Sequence, residues 1–121
     1  MKPATVLLVE DHVDLRETLA EALELDGIAT KAVGNGLEAL DYLQSAPLPK
    51  LILLDLTMPV MDGFKFREEQ QKALALKDIP VFVLSAEPGL DLKAKKMGVA
   101  GHMTKPVDLT ALLRLVRERT S

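Results

Sequence analysis

The chain has 121 residues, a formal net charge of −3 and no cysteine, which excludes disulfides, thiolate metal sites and cysteine nucleophiles. Its residues are 48% hydrophobic but only 3% aromatic, which suits one ordinary domain over residues 1–121 with an aliphatic core and argues against a surface that stacks nucleic-acid bases. No stretch approaches the roughly 18 consecutive apolar residues of a membrane span, and acids follow the first apolar run directly, unlike a signal peptide, so a cytoplasmic protein with no membrane partner and no nucleic-acid contact is expected.

The first apolar run, Thr5–Val9, reads as a buried strand and ends in Glu10-Asp11. His12 follows as an exposed residue without a metal role, and Asp14 is the expected cap of a helix whose stripe is Leu15, Leu19, Ala22 and Leu23. A second strand over Ile28–Val33 ends in the turn Gly34-Asn35-Gly36, where no chemistry is evident. Leu37, Leu40 and Leu43 mark the second helix. The third strand, Leu51–Leu54, runs straight into Asp55; the turn signals Met58-Pro59 and Asp62-Gly63 come next, with Asp62 capping a helix over residues 64–77.

The fourth strand, Val81–Leu84, ends in Ser85. Pro88-Gly89 introduces a helix over 90–97 whose Lys93, Lys95 and Lys96 read as solvated. A weaker fifth strand, Ala100–Thr104, leads to Lys105-Pro106, where the proline restrains Lys105 and permits a cis peptide. Leu109, Leu112, Leu113 and Val116 form the last helical stripe, with Arg114, Arg117 and Arg119 at the end that favours cations. Strands alternating with helices imply an α/β fold: a three-layer (βα)5 doubly wound sandwich on a parallel five-stranded sheet. Acids dominate the first half of the chain and bases the second, the pattern of two solvated faces.

Ligands of such sheets bind beyond the carboxyl ends of the strands. Those ends carry Glu10, Asp11, Asp55, Ser85 and Lys105. Adjacent strands lie about 4.8 Å apart, so if the first and third are neighbours, Asp11 and Asp55 can share a cation. Close carboxylates resist ionising together, and a few carboxylates with open water positions suit Mg²⁺. Helix capping explains acids such as Asp62 but not Asp55, since Pro59 follows and no helix starts there.

"VEDH", "DLTMPVMDG", "VLSA" and "TKP", in that order, resemble the receiver domain of bacterial two-component response regulators, over nearly the whole chain. The resemblance implies a flavodoxin-like strand order 2-1-3-4-5. It implies that Asp55 is the phosphoacceptor for a sensor histidine kinase or a histidine phosphotransfer protein. Asp11, Asp55 and the backbone carbonyl of Thr57 would bind Mg²⁺, with Glu10 acting through water. Ser85 and Lys105 would contact phosphoryl oxygens. The chain would not be a conventional enzyme, but would phosphorylate itself and lose the group at Asp55 with Mg²⁺.

The same resemblance makes Ser85 and the third residue before the lysine the switch, and the fourth helix, fifth strand and fifth helix the output face. That third residue is His102 where the family has an aromatic ring, and a histidine there could pack or respond to pH. The resemblance also implies that Thr57 and Glu87, at positions that shape phosphoryl lifetime in such domains, tune it here. A phosphorylation-dependent homodimer or a downstream protein target is a further partner the resemblance allows. An adaptor that signals without phosphorylation typically lacks the acid pair or the lysine, and this chain keeps both. A flavodoxin-like electron carrier needs a phosphate-cradling loop where the acids stand. A haloacid-dehalogenase-like phosphatase needs an Asp-x-Asp pair, and residue 57 is Thr.

Overall fold

The apolar runs without a polar break form the interior of the sheet. The computed structural model describes residues 3–45 and 47–121. Five strands alternate with five helices: β1 (Val6–Val9), α1 (Val13–Leu25), β2 (Thr30–Val33), α2 (Gly36–Ser45), β3 (Leu51–Leu54), α3 (Gly63–Lys72), β4 (Val81–Ser85), α4 (Leu90–Met97), β5 (Gly101–Thr104) and α5 (Leu109–Thr120). The strands are all parallel, in the order β2-β1-β3-β4-β5. This is the expected doubly wound α/β sandwich.

β1, β3 and β4 are buried along their whole length, as strands covered on both faces must be. The two-residue period of a strand divides each run between two cores. Leu7, Val9, Ile52, Leu54, Val81 and Val83 face Ala39 and Leu43 of α2, Phe66 of α3 and Leu90 of α4. Val6, Leu8, Leu51, Leu53, Phe82 and Leu84 face Leu19 and Leu23 of α1 and Leu112 and Val116 of α5. The edge strands β2 and β5 are only partly buried, which is why their apolar signal is weak in the sequence.

Three local expectations change. β2 begins at Thr30, because Ile28 still belongs to the exit of α1, its N–H donating to Leu23 O at 2.9 Å. The cap of α1 is His12, whose Nδ1 accepts from Leu15 N at 3.3 Å, while Asp14 lies inside the first turn. α3 stops at Lys72 rather than continuing to residue 77. Ala73 is extended, and the Gln70 side-chain amide donates to Leu76 O and Ile79 O at 2.9 and 3.1 Å. A side chain that satisfies two loop carbonyls replaces the turns of helix that the pattern suggested.

The same helix buries a guanidinium. Arg67 is 7% exposed. Its Nε donates to Met97 O at 3.0 Å, one Nη to Gly98 O at 2.9 Å and the other to Gln70 Oε1 at 2.8 Å. It faces carbonyls at the C-terminal end of α4, where the helix dipole favours a cation, and burial holds its pKa below the usual range. Arg67→Ala removes a buried side chain and leaves the buried Gln70 Oε1 and two partly buried carbonyls without their donor, so it should cost about 3 kcal/mol in urea unfolding. Arg67→Lys should recover only part of that loss, since one ammonium cannot reproduce the fork of donors.

Candidate functional site

Each strand that ends at the site extends its ladder by one hydrogen bond. Glu10 N donates to Val33 O at 3.0 Å, Asp55 N to Val9 O at 3.0 Å and Lys105 N to Ser85 O at 2.9 Å. The residue after each apolar run is therefore fixed by the sheet itself. Glu10, Asp55 and Ser85 are buried, and Asp11 is partly exposed. Carboxylate oxygens of Glu10, Asp11 and Asp55 lie within 4.8 Å of one another. Lys105 Nζ stands 2.8 Å from Glu10 Oε1 and 3.4 Å from Asp55 Oδ1. The Lys105-Pro106 peptide is cis.

Further hydrogen bonds hold Glu10 and one oxygen of Asp55. Leu56 N donates to Asp55 Oδ1 at 2.8 Å and His12 N to Glu10 Oε2 at 3.1 Å. An Arg16 Nη donates to Glu10 O at 2.9 Å. Burial, and then the charge of Glu10, push Asp55 from its ordinary value of 3.8 up to about 6, with Lys105 offsetting part of the rise. Burial works against the Lys105 ammonium, but its bond to Glu10 and the charge of Asp55 outweigh that and raise its pKa. Three carboxylates against one ammonium leave the site short of positive charge. An all-oxygen donor set at this spacing fits a hard divalent cation and not a soft one.

The loop after Asp55 is bent back tightly. Met61 N donates to Pro59 O at 2.7 Å across Val60, whose φ is +67°. A β-branched residue in that region is strained. Gly36 N clasps the loop by donating to Met61 O at 2.9 Å, and Gly63 N donates to Leu56 O at 3.0 Å. A Cβ on Gly63 would stand 2.4 Å from Asp55 O, and one on Gly36 2.9 Å from Met61 O. The Gly34-Asn35-Gly36 turn thus supports the site without contributing chemistry, which no local signal in the sequence could indicate.

A cavity of about 350 Å³ opens beside Asp55, lined by Thr57, Ser85, Ala86, Glu87, Pro88 and Lys105. Of the residues expected at a site, Glu10, Asp11, Asp55, Ser85, Lys105 and Thr57 gather here. His102 does not: its Nε2 lies 2.7 Å from Asp91 Oδ1 on α4. Lys93 departs from the solvated reading, pairing with Glu87 Oε2 at 2.6 Å, while Lys95 and Lys96 are exposed. Thr57 Oγ1 donates to Glu87 Oε1 at 2.8 Å.

Comparison with known proteins places this arrangement. The family model for the response regulator receiver domain matches residues 6–117. Sporulation initiation phosphotransferase F of Bacillus subtilis is 30% identical over 115 residues, which are 93% of this chain and 90% of that protein. Response regulator Rre1 of Synechocystis sp. is 32% identical over 96% of this chain, which spans only 51% of Rre1. The structure of the chemotaxis response regulator CheY4 of Vibrio cholerae matches with a TM-score of 0.85 at 29% identity, covering 97% of this chain and 98% of that one.

The raised Asp55 pKa has a consequence for stability. An acid whose folded pKa exceeds its unfolded value destabilises the fold as it ionises. The penalty is absent below the ordinary value of 3.8 and is complete above about 6. In metal-free buffer, Asp55→Asn should therefore be more stable than the parent chain at neutral pH, by about 2–3 kcal/mol. Denaturation at stepped pH should show the two curves converging in acid.

Proposed function

This chain belongs to the response regulator receiver domain family, and from that premise we propose that residues 1–121 form one cytoplasmic receiver domain that takes up a phosphoryl group on Asp55. Receiver domains of response regulators are phosphorylated by histidine kinases or phosphotransfer proteins. The observation that carries the proposal is the buried Asp55 carboxylate, with two further acids within 4.8 Å and an ammonium at 3.4 Å. Among the described residues, no helix is long and apolar enough to cross a membrane.

The free oxygen of Asp55 attacks phosphorus. A P–O bond forms, the P–N bond of the donor phosphohistidine breaks, and the imidazole leaves with the electron pair and takes up a proton from water. Transfer of this kind needs in-line positioning and charge neutralisation more than covalent help. Ser85 Oγ already accepts from Glu87 N at 3.0 Å, so its own O–H is available to donate to a phosphoryl oxygen. Lys105 exchanges its contact with Asp55 for one with another phosphoryl oxygen. Asp11, Asp55 and the Thr57 backbone carbonyl would hold Mg²⁺, which supplies further positive charge when bound. Both Glu10 oxygens already accept protein donors, which suits an indirect role for that residue.

The new charge draws Ser85, and with it the β4–α4 loop, toward Asp55. That displacement reaches the face made by α4, β5 and α5 through the contact between Asp91 and His102. A downstream protein or a second copy of the chain would read that face.

Acetyl phosphate with Mg²⁺ should add one phosphoryl group, located at Asp55 by peptide mass spectrometry, and Asp55→Asn should abolish the gain. No mass gain on the parent chain refutes the proposal. Thr57→Ala and Glu87→Ala should each change the half-life of the phosphorylated chain, followed by phosphate release. Unchanged half-lives would remove these two residues from the set that tunes it.

A further inference from the structure

Glu87 is partly exposed and lines the Asp55 cavity at its mouth, a second carboxylate there besides Asp55 itself. Its side chain is held at both oxygens. Thr57 Oγ1 donates to Oε1 at 2.8 Å from the β3–α3 loop, and Lys93 Nζ donates to Oε2 at 2.6 Å from α4. Both contacts, the one with Lys93 first, hold the Glu87 carboxyl below its ordinary pKa. Lys105 serves Glu10 and Asp55, and Lys93 is the cation paired with Glu87. A phosphate-bearing donor is an anion, and an uncompensated carboxylate lining the cavity beside Asp55 would repel it.

We propose that Lys93 is a positioning residue for phosphoryl transfer: it holds Glu87 against Thr57 across the mouth of the cavity and cancels the charge that carboxylate would present to the donor. The inference rests on the phosphoacceptor reading of Asp55. Removing Lys93 leaves the mouth one unit more negative, so it acts oppositely on an approaching anion and on a bound cation. Damage to the fold would weaken both.

The probes are acetyl phosphate and Mg²⁺. Acetyl phosphate gives its phosphoryl group to an Asp55 oxygen as its P–O bond to acetate breaks, and acetate leaves with the electron pair. At low ionic strength, Lys93→Met should slow phosphorylation roughly two- to fivefold and tighten Mg²⁺ binding by calorimetry by a similar factor. Both effects should fade at high salt, where the Debye length falls to about 3 Å. Lys93→Arg should match the parent chain. Glu87→Gln should shift both quantities the other way, and Lys93→Met combined with Glu87→Gln should return them to parent values. The inference is overturned if Lys93→Met leaves both unchanged, lowers both together, or stays slow once Glu87 is neutralised. A parent chain that gains no phosphoryl group overturns the phosphoacceptor reading as well; a phosphorylated parent with an unaltered Lys93→Met variant overturns this inference alone.

Discussion

An ammonium held between two buried carboxylates organises this molecule. Lys105 reaches Glu10 and Asp55 from the far side of the sheet, bridging strands that are not adjacent to its own. One positive charge cannot satisfy three acids, so the site remains electrostatically incomplete. Burial first, and then the charge of Glu10, raise the Asp55 pKa, and Lys105 offsets only part of that rise. Burial makes the deficit costly, because the charged form of a carboxylate loses water it cannot replace. An added cation lowers the cost, and a carboxylate kept short of positive charge stays available for chemistry.

The sheet sets the positions of these groups, but α4 determines what can be felt beyond them. Its C-terminal end is pinned by Arg67 through two carbonyls. Its first half is held differently, by Asp91 to His102 and by Lys93 to Glu87. The first attachment is made by a buried side chain, and the other two by more exposed ones, where charge pairs are worth less. A change in charge at Asp55 therefore meets a helix that is firmly held at one end and adjustable at the other.

Much of this was readable from residue pattern alone. Val6–Val9, Leu51–Leu54 and Val81–Leu84 are continuous apolar runs because both faces are covered, and the polar residue after each, Glu10, Asp55 and Ser85, marks the sheet edge where the candidate site gathers. What escaped depends on side chains meeting across the fold. Arg67 and Gln70 look like solvated positions of a polar helix, yet both are buried, Arg67 bonding to carbonyls at the end of α4 and Gln70 to carbonyls of the loop after α3. Lys93 looks no different from Lys95 and Lys96, and only the approach of the Glu87 loop distinguishes it. His12 caps α1 because the helix starts at Val13, which leaves Asp14 inside the first turn and the His12 ring to accept from Leu15 N.

The loop after Asp55 shows how the glycines and the site depend on one another. Val60 sits at a φ of +67°, a conformation costing on the order of 1–3 kcal/mol. Hydrogen bonds from Gly36 N to Met61 O and from Gly63 N to Leu56 O hold the loop in this shape. Gly36 approaches Met61 closely enough to donate to its carbonyl, and Gly63 lets the start of α3 press against the backbone of Asp55. Both approaches exclude a Cβ. Strain in this loop is thus the counterpart of placement at Asp55: the backbone that carries the carboxylate, and Thr57 two residues on, belong to a loop that the two glycines hold closed.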